Sequence, residues 1–290
     1  MRIVLASMGV KEFALLHEVC VHAGHLPVGY ACSRSIRPRG EVDSQAVGVA
    51  SGLLGAIPAT VDLLLPADAD GLGRAMTGYR PDLLIVYGFN WILPESVLAI
   101  PRLGALNVHS SLLPRYRGPA PVLWAIRNGD AAVGVTVHRM DAGVDTGPIL
   151  AQRGDVPLDD DVTPDRLWPR LRPVLAAVLV DALRKVATGT PGDPQGGGDS
   201  CPARFLEPEY SRVDWSRSAR EIHNQVRVFG FIGSQEAPVA LVDGRWLRLI
   251  RTSLVPVVGG HQVDCGDGHA IWIVESTPVP PPATTPVAGT

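Results

Sequence analysis

The sequence predicts an α/β domain on a mostly parallel sheet, followed by a smaller, mostly β module. Three observations predict it. Short apolar runs alternate with helix-like segments across residues 1–186. One run, Asp82-Leu83-Leu84-Ile85-Val86-Tyr87-Gly88, is apolar without alternation, as in a strand buried on both faces of a parallel sheet. A Gly-, Pro-, Asp-, Ser- and Thr-rich stretch at 188–203 then breaks the pattern, and strand-like segments dominate after it.

Taken in order, residues 2–6 form a buried first strand and 11–23 the helix after it. Residues 26–31 are a second strand, 46–54 are weakly helical, 58–65 hold a third apolar run, and 71–79 form a short helix. After the run at 82–88, residues 94–100 form a short helix with proline in its first turn. Residues 106–109 are the next strand and 122–128 a helix; 133–139 alternate as a strand, and 149–155 form another. Thr163 caps a long helix that starts on Pro164 and runs to about residue 186. The linker at 188–203 contains Gly196-Gly197-Gly198. Beyond it, 216–228 are helical, and 239–243, 246–251 and 270–275 are strands. The expected organisation is a catalytic domain at 1–187, the linker, a β-rich module at 204–275 and a disordered, uncharged tail at 276–290.

Composition bounds the function. With 46% hydrophobic and 19% charged residues the chain can bury a core, and a net charge of −3 offers nucleic acid no global basic field. Cys20, Cys32, Cys201 and Cys265 form no Cys-x-x-Cys pair, so they read as free thiols of a reducing cytoplasm rather than zinc ligands or a redox dithiol. The apolar start at 1–6 is too short for a signal peptide, and no run reaches membrane-spanning length; the expected location is cytoplasmic. Gly71-Leu72-Gly73 completes no Gly-x-Gly-x-x-Gly pattern, which argues against a dinucleotide cofactor.

The chemistry concentrates between Gly104 and Gly147. Asn107 and His109 are two apart and share a strand face, at the carboxyl end where α/β sheets bind ligands. Asp141 and Asp145 lie in the Gly-containing loop 140–147. An amide donor, an imidazole and a carboxylate brought together can run acyl transfer. Spacing alone leaves two other readings open: a polar strand end for Asn107 and His109, and ordinary turn chemistry for the two aspartates. His138, inside a strand, reads as a hydrogen-bonded structural histidine, and Arg34, Arg37 and Arg39 as a solvated loop.

The segments Asn107-Val108-His109-Ser110-Ser111-Leu112-Leu113-Pro114-Arg115-Tyr116-Arg117-Gly118, Gly134-Val135-Thr136-Val137-His138 and Asp141-Ala142-Gly143-Val144-Asp145-Thr146-Gly147 together resemble the folate-dependent formyltransferases. That family includes glycinamide ribonucleotide, methionyl-tRNA and amino-sugar formyltransferases. The resemblance runs from residue 1 to about 186 and continues more weakly through Tyr210-Ser211-Arg212-Val213-Asp214-Trp215-Ser216 and Ile222-His223-Asn224. It implies a Rossmann-like formyltransferase domain and places the catalytic trio on Asn107, His109 and Asp145. The implied donor is 10-formyltetrahydrofolate. Its pocket falls on Phe89, Asn90, Trp91, Ile92 and Leu93 and on Asp141, Ala142, Gly143 and Val144, with Trp91 replacing the more usual aliphatic or basic residue. Ser111, Arg115, Tyr116 and Arg117 fall where the acceptor would bind. No metal is implied, because an amine leaving as the N10 of folate needs only a proton.

Among acceptors, the charge pattern favours a small amine, such as an amino-sugar or a natural-product amine. Residues 201–290 carry eight arginines and no lysine against nine acidic residues, a net of −1 that does not suit RNA phosphates. Glu41 and Asp43 also interrupt the basic loop at 33–44. The loop at 6–13 has one glycine, a poor match to the phosphate loop of glycinamide ribonucleotide enzymes. Methionyl-tRNA is the second expectation, and hydroxymethyl transfer from a folate a third. Oligomeric state is not encoded in any motif.

Overall fold

The structure, a computed structural model, describes residues 1–32, 44–197, 200–233 and 237–281. The chain divides into two compact units, one made of Met1–Pro121, Val133–Val156 and Pro169–Arg204, the other of Val122–Ala132, Pro157–Trp168 and Phe205–Thr290. Its elements are β1 (Arg2–Ser7), α1 (Val10–His22), β2 (Leu26–Cys32), α2 (Ser44–Ala56), β3 (Asp62–Leu64), α3 (Ala69–Tyr79), β4 (Leu83–Tyr87), α4 (Glu95–Leu98), β5 (Ala105–His109), α5 (Pro121–Arg127), β6 (Ala132–Arg139), β7 (Ile149–Pro157), α6 (Pro164–Ala187), α7 (Ala219–Ile232), β8 (Val239–Val242), β9 (Arg245–Ser253), β10 (His261–Asp264) and β11 (Ala270–Pro278).

Among the described residues, the first seven strands form one sheet in the order β3-β2-β1-β4-β5-β6-β7. β1 to β5 pair in parallel, and β6 runs antiparallel to β5. The sheet is therefore Rossmann-like and mostly parallel, as the alternating pattern predicts. Ile3, Val4, Leu5 and Ala6 of β1 and Leu83, Leu84 and Ile85 of β4 are fully buried, which is why these strands read as continuous apolar runs. Burying each such large side chain favours folding by about 1.5–3 kcal/mol. One face packs Val4, Val28, Leu84 and Val86 against Leu72 and Met76 of α3 and Val97 of α4. Strand order reverses between β1 and β4, so the crevice of the sheet opens there. The loops after the two strands are tied together where Met8 N–H donates to Gly88 O at 3.0 Å.

Residues 188–197 and 200–203 form no helix or strand, yet they are hydrogen-bonded to the rest of the first unit. Asp193 exchanges two backbone hydrogen bonds of 2.8 Å with Ile149, and Ala203 N–H donates to Arg117 O at 2.7 Å. All four cysteines are free thiols. Among the described residues no helix is long and apolar enough to cross a membrane.

In the second unit the sheet order is β10-β11-β9-β8, antiparallel throughout. Val226 of α7 packs with Ala240, Val242, Leu249 and Ile273. The helix begins at Ala219, not at residue 216, because Ser218 and Glu221 form a reciprocal capping box while Asp214 closes a turn onto Ser216 N–H at 3.0 Å. β10 has no counterpart among the predicted strands, because His-Gln-Val-Asp is polar, carries no apolar alternation and sits at the sheet edge. β11 continues past Ser276, where the sequence predicts the tail to start; Thr277 and Pro278 pair with Arg248 and Leu247 of β9. β11 lies between β10 and β9, but its pairing with β10 ends at Ile273, so Pro278 has a strand on one side only and its missing N–H can face the unpaired side. Residues 282–290 lie outside the described residues.

Candidate active site

Pairing of β5 with β6 sets Asn107 opposite His138 and His109 opposite Thr136. Opposed residues in an antiparallel pair share a face, so four polar side chains converge at the end of β5. Thr136 fixes the chain as it leaves the strand. Its hydroxyl donates to Ser111 O at 2.7 Å and accepts from Leu113 N–H at 3.2 Å.

The two aspartates separate in role. Asp141 is exposed, and its Oδ1 accepts from Gly143 N–H (3.0 Å) and the Thr146 hydroxyl (2.6 Å), which is turn chemistry. Asp145 points inward from a left-handed backbone (φ 53°). Its Oδ1 accepts from Asn107 Nδ2 at 2.9 Å and lies 3.4 Å from His138 Nε2. Its Oδ2 accepts from Gly118 N–H at 2.8 Å and lies 3.6 Å from His109 Nδ1. Two glycines let these loops close. A Cβ at Gly147 would collide with the Arg139 carbonyl, and one at Gly118 (φ 124°) would sit 2.7 Å from Ala203 O.

Asn107 spends both amide hydrogens, one on Asp145 and a longer one, 3.3 Å, toward His138 Nε2. His109 is buried, and its Nε2 lies 2.8 Å from Tyr116 O. A carbonyl only accepts, so Nε2 carries a hydrogen. The exchangeable proton of His109 is therefore the one on Nδ1, facing Asp145. Burial pushes the His109 pKa below its ordinary value and the nearby His138 ring adds to this, against the opposing pull of Asp145 and the Tyr116 carbonyl. Burial alone would raise Asp145, but the His138 contact, the His109 ring and Gly118 N–H outweigh it and hold the carboxyl at about 2. Two uncharged donors, Asn107 and Gly118, keep that direction when the ring is neutral. A depressed carboxyl pKa stabilises the fold above its unfolded value and loses that contribution as pH falls through its folded value. On this basis about 2 kcal/mol should disappear between about pH 4 and pH 2. Urea midpoints measured across that range should fall in the native protein and fall less in Asp145→Asn.

The other expected site residues are placed as follows. Ser111 is buried, donating to Arg115 O at 2.7 Å, and Tyr116 is buried under the Arg115 guanidinium, 4.9 Å from its ring centre. Arg117 donates to Gln195 Oε1 from Nε (3.0 Å) and Nη2 (2.6 Å). Leu93 is buried in the core cluster against which Phe89, Trp91 and Met140 pack, and Phe89 meets Trp91 edge-on at 5.2 Å. Asn90, Asp141, Ala142 and Gly143 are exposed, and Ile92 (76%) and Val144 (48%) present apolar side chains to solvent. Arg34, Arg37, Arg39, Glu41 and Asp43 lie outside the described residues. His138 is the hydrogen-bonded histidine that the sequence predicts, with Nδ1 2.8 Å from Arg139 O, but it also faces Asn107 and Asp145; Gly118 N–H and Gln195 are contributors that the sequence does not point to. His138 has the same strand parity as Thr136, a signal that becomes readable once the antiparallel register is known. A backbone N–H and a glutamine in a Gly/Pro-rich stretch carry no such signal.

The family described as formyl transferase matches residues 66–183. A methionyl-tRNA formyltransferase of Pelobacter propionicus is 42% identical over 196 residues, covering 67% of this chain and 60% of its own. Another of Acetivibrio thermocellus is 35% identical over 260 residues, covering 88% and 80%. This chain thus spans less than two thirds of the first relative and four fifths of the second. The solved N-formyltransferase from Helicobacter canadensis, in complex with folinic acid and dTDP-3-aminofucose, shares the fold with a TM-score of 0.64 at 15% identity, covering 94% of this chain and 98% of its own. On these grounds the chain belongs to the folate-dependent formyltransferase family.

Proposed function

We propose that this protein moves the formyl group of 10-formyltetrahydrofolate onto a primary amine, with methionyl-tRNA as the acceptor. The observation that carries the transfer chemistry is the convergence of Asn107, His109 and Asp145 at the end of β5. The amine nitrogen attacks the formyl carbon, and negative charge develops on the formyl oxygen. Asn107 answers that charge by releasing its longer hydrogen bond to His138 and turning that N–H to the oxygen. Neutral His109 takes the amine proton on Nδ1, beside the Asp145 carboxylate, and the same proton passes to N10 as the carbon–N10 bond breaks. One C–N bond forms, one breaks, and no electrons are exchanged. We place the donor on the two loops that carry Ile92 and Val144, whose apolar side chains are exposed and which sit next in sequence to Trp91 and Leu93 and near Met140 of the same packed cluster.

The choice of acceptor reverses the order that the charge pattern favours. Relatives 42% and 35% identical carry the methionyl-tRNA name, and they support that acceptor here. The net of −1 across 201–290 keeps a small amine, including an amino-sugar, as the second reading. Incubation with 10-formyltetrahydrofolate and either charged initiator tRNA or a panel of amino-sugars, with the product read by mass, tests both. Formylated methionyl-tRNA is the expected product. Formylation of the small amines alone selects the second reading, and a hydroxymethylated product from a methylene folate would replace formyl transfer altogether.

A further inference from the structure

We infer that Gln195 is a positioning residue for the His109–Asp145 pair, acting from outside the sheet through the two loops that hold it. Its side-chain amide uses all of its hydrogen-bonding capacity. Nε2 donates to Asp145 O and Gly147 O, each at 2.8 Å, and Oε1 accepts from Arg117 Nε and Nη2. The first pair of bonds grips the backbone of the residue that carries the carboxylate and of the glycine two places on. The second pair grips Arg117, which lies between Tyr116, whose carbonyl orients His109, and Gly118, whose N–H holds Asp145 Oδ2. One side chain thus joins the loop that aims the imidazole to the loop that aims the carboxylate. It can do so because the segment bearing it is fixed two residues away, where Asp193 exchanges two hydrogen bonds with Ile149. Asp145 needs such a grip: its backbone is left-handed (φ 53°), a conformation that its own side chain does not enforce.

The inference rests on the formyl-transfer reading for its kinetic readout only. Gln195→Met keeps the volume and removes all four bonds. It should lower kcat at least about tenfold, the scale of a small misplacement of a catalytic pair, with the donor KM within about threefold. A residue acting through Asp145 should also be non-additive with it, so Gln195→Met introduced into Asp145→Asn should cost less than about twofold more. The second readout needs no substrate: the ring titration of His109 followed by NMR. The groups facing that ring are Asp145, His138 and the Tyr116 carbonyl. Asp145→Asn should lower the His109 pKa. Gln195→Met should lower it by a smaller amount, and the double variant no further than Asp145→Asn. If Gln195→Met loses its fold, Gln195→Glu replaces it; a carboxylate still accepts from Arg117 but cannot donate to the two carbonyls, and the same kinetic loss is expected. Full additivity, an unchanged His109 titration, or a Gln195→Glu variant with native kcat would each overturn the inference. A native protein that formylates no amine would sink the proposed activity while leaving the titration to decide on Gln195.

Discussion

His109→Ala and Asp145→Ala each lower kcat by at least about a hundredfold, the usual scale for an acid/base group, while donor binding changes little. The exchangeable proton lies between these two side chains, on Nδ1, because Tyr116 O occupies Nε2. Asp145→Asn keeps a hydrogen-bonding oxygen for Gly118 N–H but withdraws the negative charge from His109, and it should lose most of the same activity. The pH profile follows from the sign of the shift. His109 must be neutral to accept a proton, and burial lowers its pKa, so the acid limb that His109 adds to kcat, measured with the acceptor saturating, should lie below its ordinary value of 6.5. In Asp145→Asn that limb should move to still lower pH, because the anion that favours the imidazolium is gone. Steady-state kinetics between pH 5 and 8, with calorimetry on a non-reactive folate analogue, separate turnover from binding. A variant at either position with near-native kcat and intact donor binding would remove that residue from the proton path.

Much of this arrangement can be read from the chain, and what cannot has a physical reason. The buried strands announce themselves because parallel strands covered on both faces tolerate only apolar residues: Ile3 to Ala6 and Leu83 to Val86 leave no polar position for an alternative reading. Asn107 and His109 stand out because polar residues interrupt such a run at its carboxyl end. His138 does not, since its significance lies in standing opposite Asn107, a fact of strand pairing rather than of sequence. The start of α7 shows a different limit. Helical periodicity extends back to residue 216, but the capping box of Ser218 with Glu221 sets the boundary, and local side-chain hydrogen bonds prevail over period there. β10 and the end of β11 are invisible for a third reason. Where a strand has a neighbour on one side only, as along the edge strand β10 and along β11 past Ile273, backbone pairing suffices, and the side chains of His261 to Asp264 and of Thr277 and Pro278 need no apolar pattern. Gln195 belongs with neither: a polar residue among glycines and prolines gains its meaning only from the carbonyls it reaches.

With methionyl-tRNA as acceptor, the acceptor KM should rise by orders of magnitude between about 50 and 200 mM salt, because each neutralised phosphate releases a counterion and six or more contacts multiply. The expectation runs against the bulk numbers, and that makes it decisive. A net charge of −3 overall and −1 across residues 201–290 supplies no general attraction for RNA, so any steep slope must come from arginines gathered locally. β9 carries Arg245, Arg248 and Arg251, and Arg115 lies exposed on the loop beside Tyr116, so the chain has cations to contribute despite its balance. Charge reversal of the exposed Arg245 should then reduce the slope of log KM against log salt by about one unit without changing kcat on a minimal amine. A small-amine acceptor predicts the reverse: a nearly flat salt dependence and indifference to the charge at Arg245. The flat result would favour the amino-sugar or natural-product reading, since no enzyme that grips a tRNA through several phosphates can be insensitive to salt over that range.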